Sequence, residues 1–282
     1  MIDLHSHTDQ SDGTFTAAEL IDEAVRAGLR ALAITDHDTL AGYDLAVPLA
    51  ERAGIELICG IELSTRLGGA SVHLLGYFPC RQPSSEFRAW LSFLHESRRD
   101  RNGRLIERLQ SLGLDITLGD VEKKGRTLTG RPHFAQVLVE KGYVRDIQDA
   151  FDQFLDESAR GYVQRHEVPV EEAIARIVEA GGVASLAHPV RVAKNNWDRL
   201  ADYVGDLASM GMKALEVYHS DHAPESVAYY NSLAARYRLT PTGGSDFHGS
   251  NKPRISLGTG IGGNLAVADD VLEGLKAVAG GC

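Results

Sequence analysis

The chain is short of sulfur. Its only cysteines are Cys59, Cys80 and Cys282. They are odd in number, widely spaced and outside any C-x-x-C pattern, so neither a disulfide framework nor a thiolate zinc site is indicated, and a reducing, cytoplasmic setting fits best. Long apolar runs are also missing. None approaches the roughly 18 to 20 residues that cross a bilayer, so no membrane partner is expected. The N-terminus lacks the basic-then-apolar order of a cleaved leader, since Met1-Ile2-Asp3-Leu4 runs straight into His5. Positive charge is scarce: 29 Lys and Arg against 39 Asp and Glu leave a formal net charge of −10. That balance disfavours a broad grip on duplex nucleic acid, which relies on many cations touching phosphate. It leaves room for one small anion held by a few local cations, and bound divalent ions would offset much of the carboxylate charge. No low-complexity tract or solenoid repeat is visible.

What is present is an α/β pattern in a chain of 282 residues, 43% apolar and 24% charged, ordinary for a soluble enzyme. Amphipathic stretches end at a glycine and lead into short apolar runs that close on polar motifs. Thr16 to Ala27 stops at Gly28 before Ala31 to Ile34. Gly54 precedes Ile55 to Ile58, Gly181-Gly182 precedes Val183 to Ala187, Gly211 precedes Ala214 to Tyr218, and Leu239 precedes Thr240 to Asp246. With Ile2 to Leu4 and Val72 to Tyr77 there are seven candidate strands, which argues for a parallel sheet with its active edge at the strands' carboxyl ends. Gly68-Gly69 reads as a tight turn, making one strand pair antiparallel. Residues 84–162 break the pattern. They are charged, rich in Arg and helical in period, and read as a helical insertion between barrel segments 1–83 and 163–282. Within the insertion, Pro132 suits the first turn of a helix running to Gly142, which places Arg131 and His133 where an anion is favoured, or where they merely cap and pack the helix.

Histidines and carboxylates cluster after the apolar runs: His5-Ser6-His7, Asp12, Asp36-His37-Asp38, Glu62, His73, His188-Pro189 and Asp246-Phe247-His248. Each alone has a bland reading. Two histidines flanking one residue on a strand share a face and suit one ion, yet could be a surface accident. Asp38 reads as an N-cap of the following helix. Glu62 reads better as a ligand, because an unpaired buried carboxylate is expensive. Together the bland readings fail, since independent accidents would have to gather at one end of one sheet. The nine side chains His5, His7, Asp12, His37, Glu62, His73, His188, Asp246 and His248 exceed one ion's four to six ligands and suffice for two or three, with Glu62 able to bridge.

In order and type these motifs resemble those of the PHP family, named for polymerase and histidinol phosphatase, over roughly residues 1 to 80 and 165 to 265. The resemblance implies a distorted seven-stranded (β/α)7 barrel carrying metal-dependent phosphoesterase activity. The insertion with Gly130-Arg131-Pro132-His133 is similar to that of a branch containing 3′,5′-nucleoside bisphosphate phosphatases and 5′ to 3′ exoribonucleases. By motif, His5, His7, Glu62 and Asp246 match the ligands of one ion, Asp12, His37 and His248 a second, and Glu62, His73 and His188 a third. Asp12 stands where several family members have histidine; a harder ligand tilts the site toward manganese over zinc or iron.

The implied reaction is hydrolysis of the 3′-phosphate of a 3′,5′-bisphosphonucleotide by a metal-activated water. Substrate contacts are expected from Arg131, His133, Arg191, Lys194 and His222, and the leaving group's proton from His222 or His219. The bland reading of the cations is a solvated surface. Competing readings are a histidinol phosphate phosphatase, an exoribonuclease acting on short RNA, a C–N hydrolase sharing the barrel, and an inactive metal-binding module. All nine ligand-type side chains argue against the last.

Overall fold

The computed structural model describes residues 1–124, 129–164, 168–193 and 196–282. Lys194 lies outside the described residues. Two compact units are formed, one by residues 1–88 and 167–282 and the other by residues 89–166.

The first unit is a sheet curled almost into a barrel. Its strands are β1 (Ile2–Asp3), β2 (Ala31–Ile34), β3 (Glu56–Leu67), β4 (Ala70–Phe78), β5 (Val168–Pro169), β6 (Val183–Leu186), β7 (Ala214–His219) and β8 (Thr240–Gly244). The sheet runs β1-β2-β3-β4-β6-β7-β8, with the short β5 beside β3. Closure follows from backbone bonds between the two ends: Leu4 N–H donates to the Gly243 carbonyl (3.1 Å), His7 N–H to Phe247 (2.9 Å) and Asp246 N–H to His5 (2.8 Å). Gly244 permits that approach, because a Cβ there would lie 2.2 Å from the His5 nitrogen.

The seven strands expected from the apolar runs are therefore the seven of the barrel. One expectation about them needs correction: the motifs do not all sit at carboxyl ends. The Gly68-Gly69 turn, with φ of +54° and +83°, folds β3 back on β4 in antiparallel register with Ser64 opposite His73. His73 thus lies early in β4, and the reversal carries it to the same end as the others. Glu62 lies mid-way along β3, which continues past the barrel rim.

Helices cover the outside: α1 (Ala17–Arg26), α2 (Ala41–Ala53) and the start of α3 (Ser85–Ser111). Thr16 and Glu19 cap α1 reciprocally, as their spacing requires. Asp38 does not cap α2. Its carboxylate accepts instead from the Ser64 amide (2.8 Å) and hydroxyl (3.0 Å), tying the loop after β2 to β3. The second unit packs Leu105, Leu109, Phe134, Leu138, Phe154 and Leu155 from α3, α4 (Leu118–Glu122), α5 (Arg131–Glu140), α6 (Ile147–Ala150) and a π turn at Phe151–Leu155. After it come α7 (Val170–Glu179), α8 (Val190–Ala193), α9 (Trp197–Ser209), α10 (Pro224–Tyr237) and α11 (Asp269–Val278) in the barrel unit. No helix among the described residues is long and apolar enough to cross a membrane.

Cys80 and Cys282 form a disulfide, against the expectation of none. They are 202 residues apart, so no local spacing announces the pair. Only the fold brings the end of β4 beside the segment after α11.

Candidate metal centre

Every barrel motif delivers its side chain to one mouth. Glu62 is the hub. Its Oε2 lies 3.2 Å from His7 Nε2, 3.3 Å from His5 Nε2 and 3.4 Å from His37 Nδ1. Its Oε1 lies 2.9 Å from both His73 Nδ1 and His188 Nε2. One buried carboxylate therefore faces two histidine sets, one per oxygen. Asp246 Oδ1 completes a group with His5 and His7 at 3.5 and 3.4 Å. Asp12 gathers His248 Nε2 at 3.1 Å, His7 Nδ1 at 3.6 Å and His37 Nε2 at 3.7 Å. Three of the resulting groups could each hold an ion: His5, His7, Glu62 and Asp246; His7, Asp12, His37 and His248; and His37, Glu62 and His73.

The donor set fits divalent ions. Ligand atoms about 2.1 Å from a shared ion stand roughly 3.0 to 3.4 Å from one another; the pairs above are 2.9 to 3.7 Å apart, and the ligand atoms of each group all lie within 4.8 Å of one another. Several of these nitrogens, both of His7 together with His37 Nδ1, are buried without a hydrogen-bond partner, a costly state for groups that do not coordinate. Charge agrees. Burial acts to lower the pKa of His7, but the adjacent carboxylates of Asp246, Glu62 and Asp12 outweigh that and raise it to about 9, the mark of a carboxylate cluster short of positive charge. Burial pushes His37 and His188 down to about 4, leaving neutral imidazoles of the kind that ligate.

The sequence reading missed the residues that orient these ligands. Glu216, fully buried on β7, accepts from His5 Nδ1 (2.8 Å) and from the His188 amide (2.6 Å). That turns His5 Nε2 toward Glu62, as a carboxylate behind a metal-binding histidine does. Burial opposes its charge, yet the charge of His5 and neighbouring histidines holds Glu216 down at about 2. A carboxylate between apolar Leu215 and Val217 on a strand was the available signal, the same one that singled out Glu62. Asp36 anchors the loop carrying Asp12, accepting from the Thr8 amide (2.8 Å), the Thr8 hydroxyl (2.6 Å) and the Ser11 hydroxyl (2.6 Å). Backbone strain marks the site too: His188 and Asp246 have φ of +27° and +59°, sparsely populated values for residues with a side chain. Glu216→Gln is expected to weaken manganese affinity roughly 10- to 100-fold with little change in fold, measured by metal titration beside circular dichroism.

The other predicted residues fall differently. Arg191, on α8, pairs with Asp221 and with Asp246 Oδ2 (3.1 Å). His219 lies with Nε2 3.5 Å from Asp246 Oδ2 and Nδ1 accepting the Asp221 amide at 2.9 Å. His222 gives its Nδ1–H to the Val217 carbonyl at 2.8 Å and burial lowers it to about 4, so its Nε2 is a bare acceptor with no proton to give. In the second unit, Arg131 donates to the Leu155 carbonyl (3.2 Å). His133 caps its own helix by accepting from the Gly130 amide (3.0 Å).

A nearly closed α/β barrel with this clustered histidine and carboxylate mouth defines a metal-dependent hydrolase. The chain belongs to the PHP family: residues 3–157 match the PHP domain. It is 32% identical over 252 residues to the 3′,5′-nucleoside bisphosphate phosphatase of Chromobacterium violaceum, covering 88% of this chain and 87% of that one. It is 35% identical over 263 residues to the 5′-3′ exoribonuclease Rnm of Escherichia coli, covering 91% and 87%. A Bifidobacterium adolescentis structure described as a candidate metal-dependent phosphoesterase superposes with a TM-score of 0.80 at 34% identity, covering 98% and 95%. The protein is a metal-dependent phosphoesterase.

Proposed function

We propose that the chain removes the 3′-phosphate of a 3′,5′-bisphosphonucleotide, yielding the nucleoside 5′-monophosphate and phosphate. The observation that carries the chemistry is Glu62, with a separate set of histidines at each oxygen. In this reading His5, His7, Glu62 and Asp246 hold one ion, Asp12, His37 and His248 a second, and Glu62, His73 and His188 a third, with manganese favoured by the carboxylate at position 12. Bound ions supply Lewis acidity: they make water nucleophilic near neutral pH and neutralise phosphoryl charge.

The chain's own groups do the rest. Arg191, planar and bidentate, grips phosphoryl oxygens beside Asp246. His219 is the proton donor. With Nδ1 accepting from the Asp221 amide, the ring carries a proton on Nε2, and that proton goes to the leaving 3′-alkoxide as its bond to phosphorus breaks. His222 accepts a hydrogen bond from the substrate at its bare Nε2. Support for the bisphosphate is the Chromobacterium relative's activity. The Escherichia relative favours a second reading, stepwise hydrolysis of short RNA from its 5′ end.

In this reading Arg131 holds the second phosphate, in keeping with the likeness of Gly130-Arg131-Pro132-His133 to the bisphosphate branch. Arg131→Ala is then expected to raise KM for a 3′,5′-bisphosphate at least 10-fold while changing KM for a monophosphate less than 3-fold, since one charge-assisted hydrogen bond is worth about 1.5 to 3 kcal/mol. Steady-state kinetics on both substrates measures the ratio, and equal effects would remove the assignment.

A further inference from the structure

We infer that Lys252 is a phosphate-binding residue of this centre, holding a non-bridging oxygen of the phosphoryl group that is transferred. The inference rests on the phosphoesterase class and not on the choice of bisphosphate. Asp246 divides its carboxylate. Oδ1 faces the histidines, with His5 Nε2 at 3.5 Å, His7 Nε2 at 3.4 Å and His248 Nδ1 at 3.5 Å. Oδ2 faces cations, with Lys252 Nζ at 2.6 Å and Arg191 Nη2 at 3.1 Å.

That oxygen is over-matched. Arg191 has a second carboxylate in Asp221, whereas Asp246 is the sole carboxylate paired with Lys252 among the described residues. If Asp246 serves a divalent ion through Oδ1, its one negative charge is already answered there. Lys252 then sits on its far oxygen with charge to spare, beside an Arg191 that Asp221 answers. Their side chains are 31% and 41% exposed, so both can meet a ligand arriving from solvent. Like charges this close repel unless an anion lies among them, and a dianionic phosphoryl group supplies the missing charge in the right place.

Lys252 is also held as a site residue would be. It follows a single 3₁₀ turn, Gly249–Asn251, directly after His248. Its amide donates to the Gly249 carbonyl at 3.1 Å, the Ser250 amide to Thr14 Oγ1 at 2.9 Å, and the Asn251 side chain to the Asp12 carbonyl at 2.7 Å. The turn is thereby tied to the loop that presents Asp12. A flexible point charge on a fixed backbone can leave Asp246 for a phosphoryl oxygen and return as product departs.

The test compares wild-type protein, Lys252→Met and Lys252→Arg, each loaded with manganese. Three quantities are measured: bound manganese per chain, the Kd for inorganic phosphate by calorimetry, and kcat/KM on 4-nitrophenyl phosphate. Lys252→Met is expected to keep the wild-type manganese content, to weaken phosphate binding at least 10-fold and to lower kcat/KM by as much or more. Lys252→Arg should recover part of both. Phosphate affinity within 2-fold of wild type in a fully loaded Lys252→Met protein would overturn the inference. So would loss of manganese in both variants, which would make Lys252 a support for Asp246 only. Neither phosphate binding nor the generic ester depends on the nucleotide, so a wrong bisphosphate assignment appears separately, as failure of the wild-type protein on that substrate.

Discussion

Glu62→Gln is expected to lower kcat/KM at least 10³-fold on any phosphate ester the protein hydrolyses, with loss of bound manganese in step. At each tenfold in rate this is about 4 kcal/mol or more of transition-state stabilisation. The size follows from geometry. Glu62 is 1% exposed, and each of its oxygens serves a different histidine set. An amide keeps the shape but removes the negative charge and offers only one oxygen, so both sets lose their shared anion at once. Burial opposes the ionised form of Glu62, yet the histidines gathered around it and the hydrogen bond from His188 hold its pKa well below the ordinary value. The charge is therefore present across the neutral range and its loss is felt there. Metal analysis and steady-state kinetics on one preparation check the result, and a variant retaining both metal and activity would contradict it.

Chelation is expected to have the second large effect. Removing divalent ions should reduce phosphate release to background, and adding manganese should restore it. Stability should fall as well, because Glu62, Asp246 and Glu216 stand buried among histidines, with Asp12 half-buried beside them, where carboxylate charge needs cations. A ligand at 100 times its Kd stabilises the fold by about 2.7 kcal/mol, which for a chain of this length corresponds to a Tm shift of roughly 5 °C. Thermal melts with and without chelator, followed by readdition of manganese, measure both effects. Unchanged activity after exhaustive chelation would contradict the role given to the cluster.

The barrel was legible because each strand is a short apolar run with a glycine or turn signal before it, and local periodicity carries that information. The histidines and carboxylates other than Asp12, which lies in the loop between β1 and α1, were legible for a related reason: side chains expensive to bury stood within or just after buried strands. His73 needed the hairpin, since only the reversal at Gly68-Gly69 explains how a residue early in β4 reaches the common mouth. Glu216, Asp36 and Lys252 escaped because each acts through a partner distant in sequence: Glu216 through His5, Asp36 through Thr8 and Ser11, and Lys252 through Asp246. The Cys80–Cys282 bond escaped for the same reason at greater range. His222 and His219 are both candidate proton donors from their place after a strand, but the Val217 carbonyl claims the only proton of His222, and local sequence does not reveal a tautomer.

The central claim is that these side chains hydrolyse the 3′-phosphate of a 3′,5′-bisphosphonucleotide with divalent ions bound. The most direct measurement is kcat/KM of the manganese-loaded protein on adenosine 3′,5′-bisphosphate, a short 5′-phosphorylated RNA and histidinol phosphate, with the nucleotide product identified chromatographically. The expected result is a kcat/KM on the bisphosphate at least 10-fold above the other two, with adenosine 5′-monophosphate and one phosphate as products. Adenosine 3′-monophosphate as product, or RNA or histidinol phosphate as the better substrate, would contradict it.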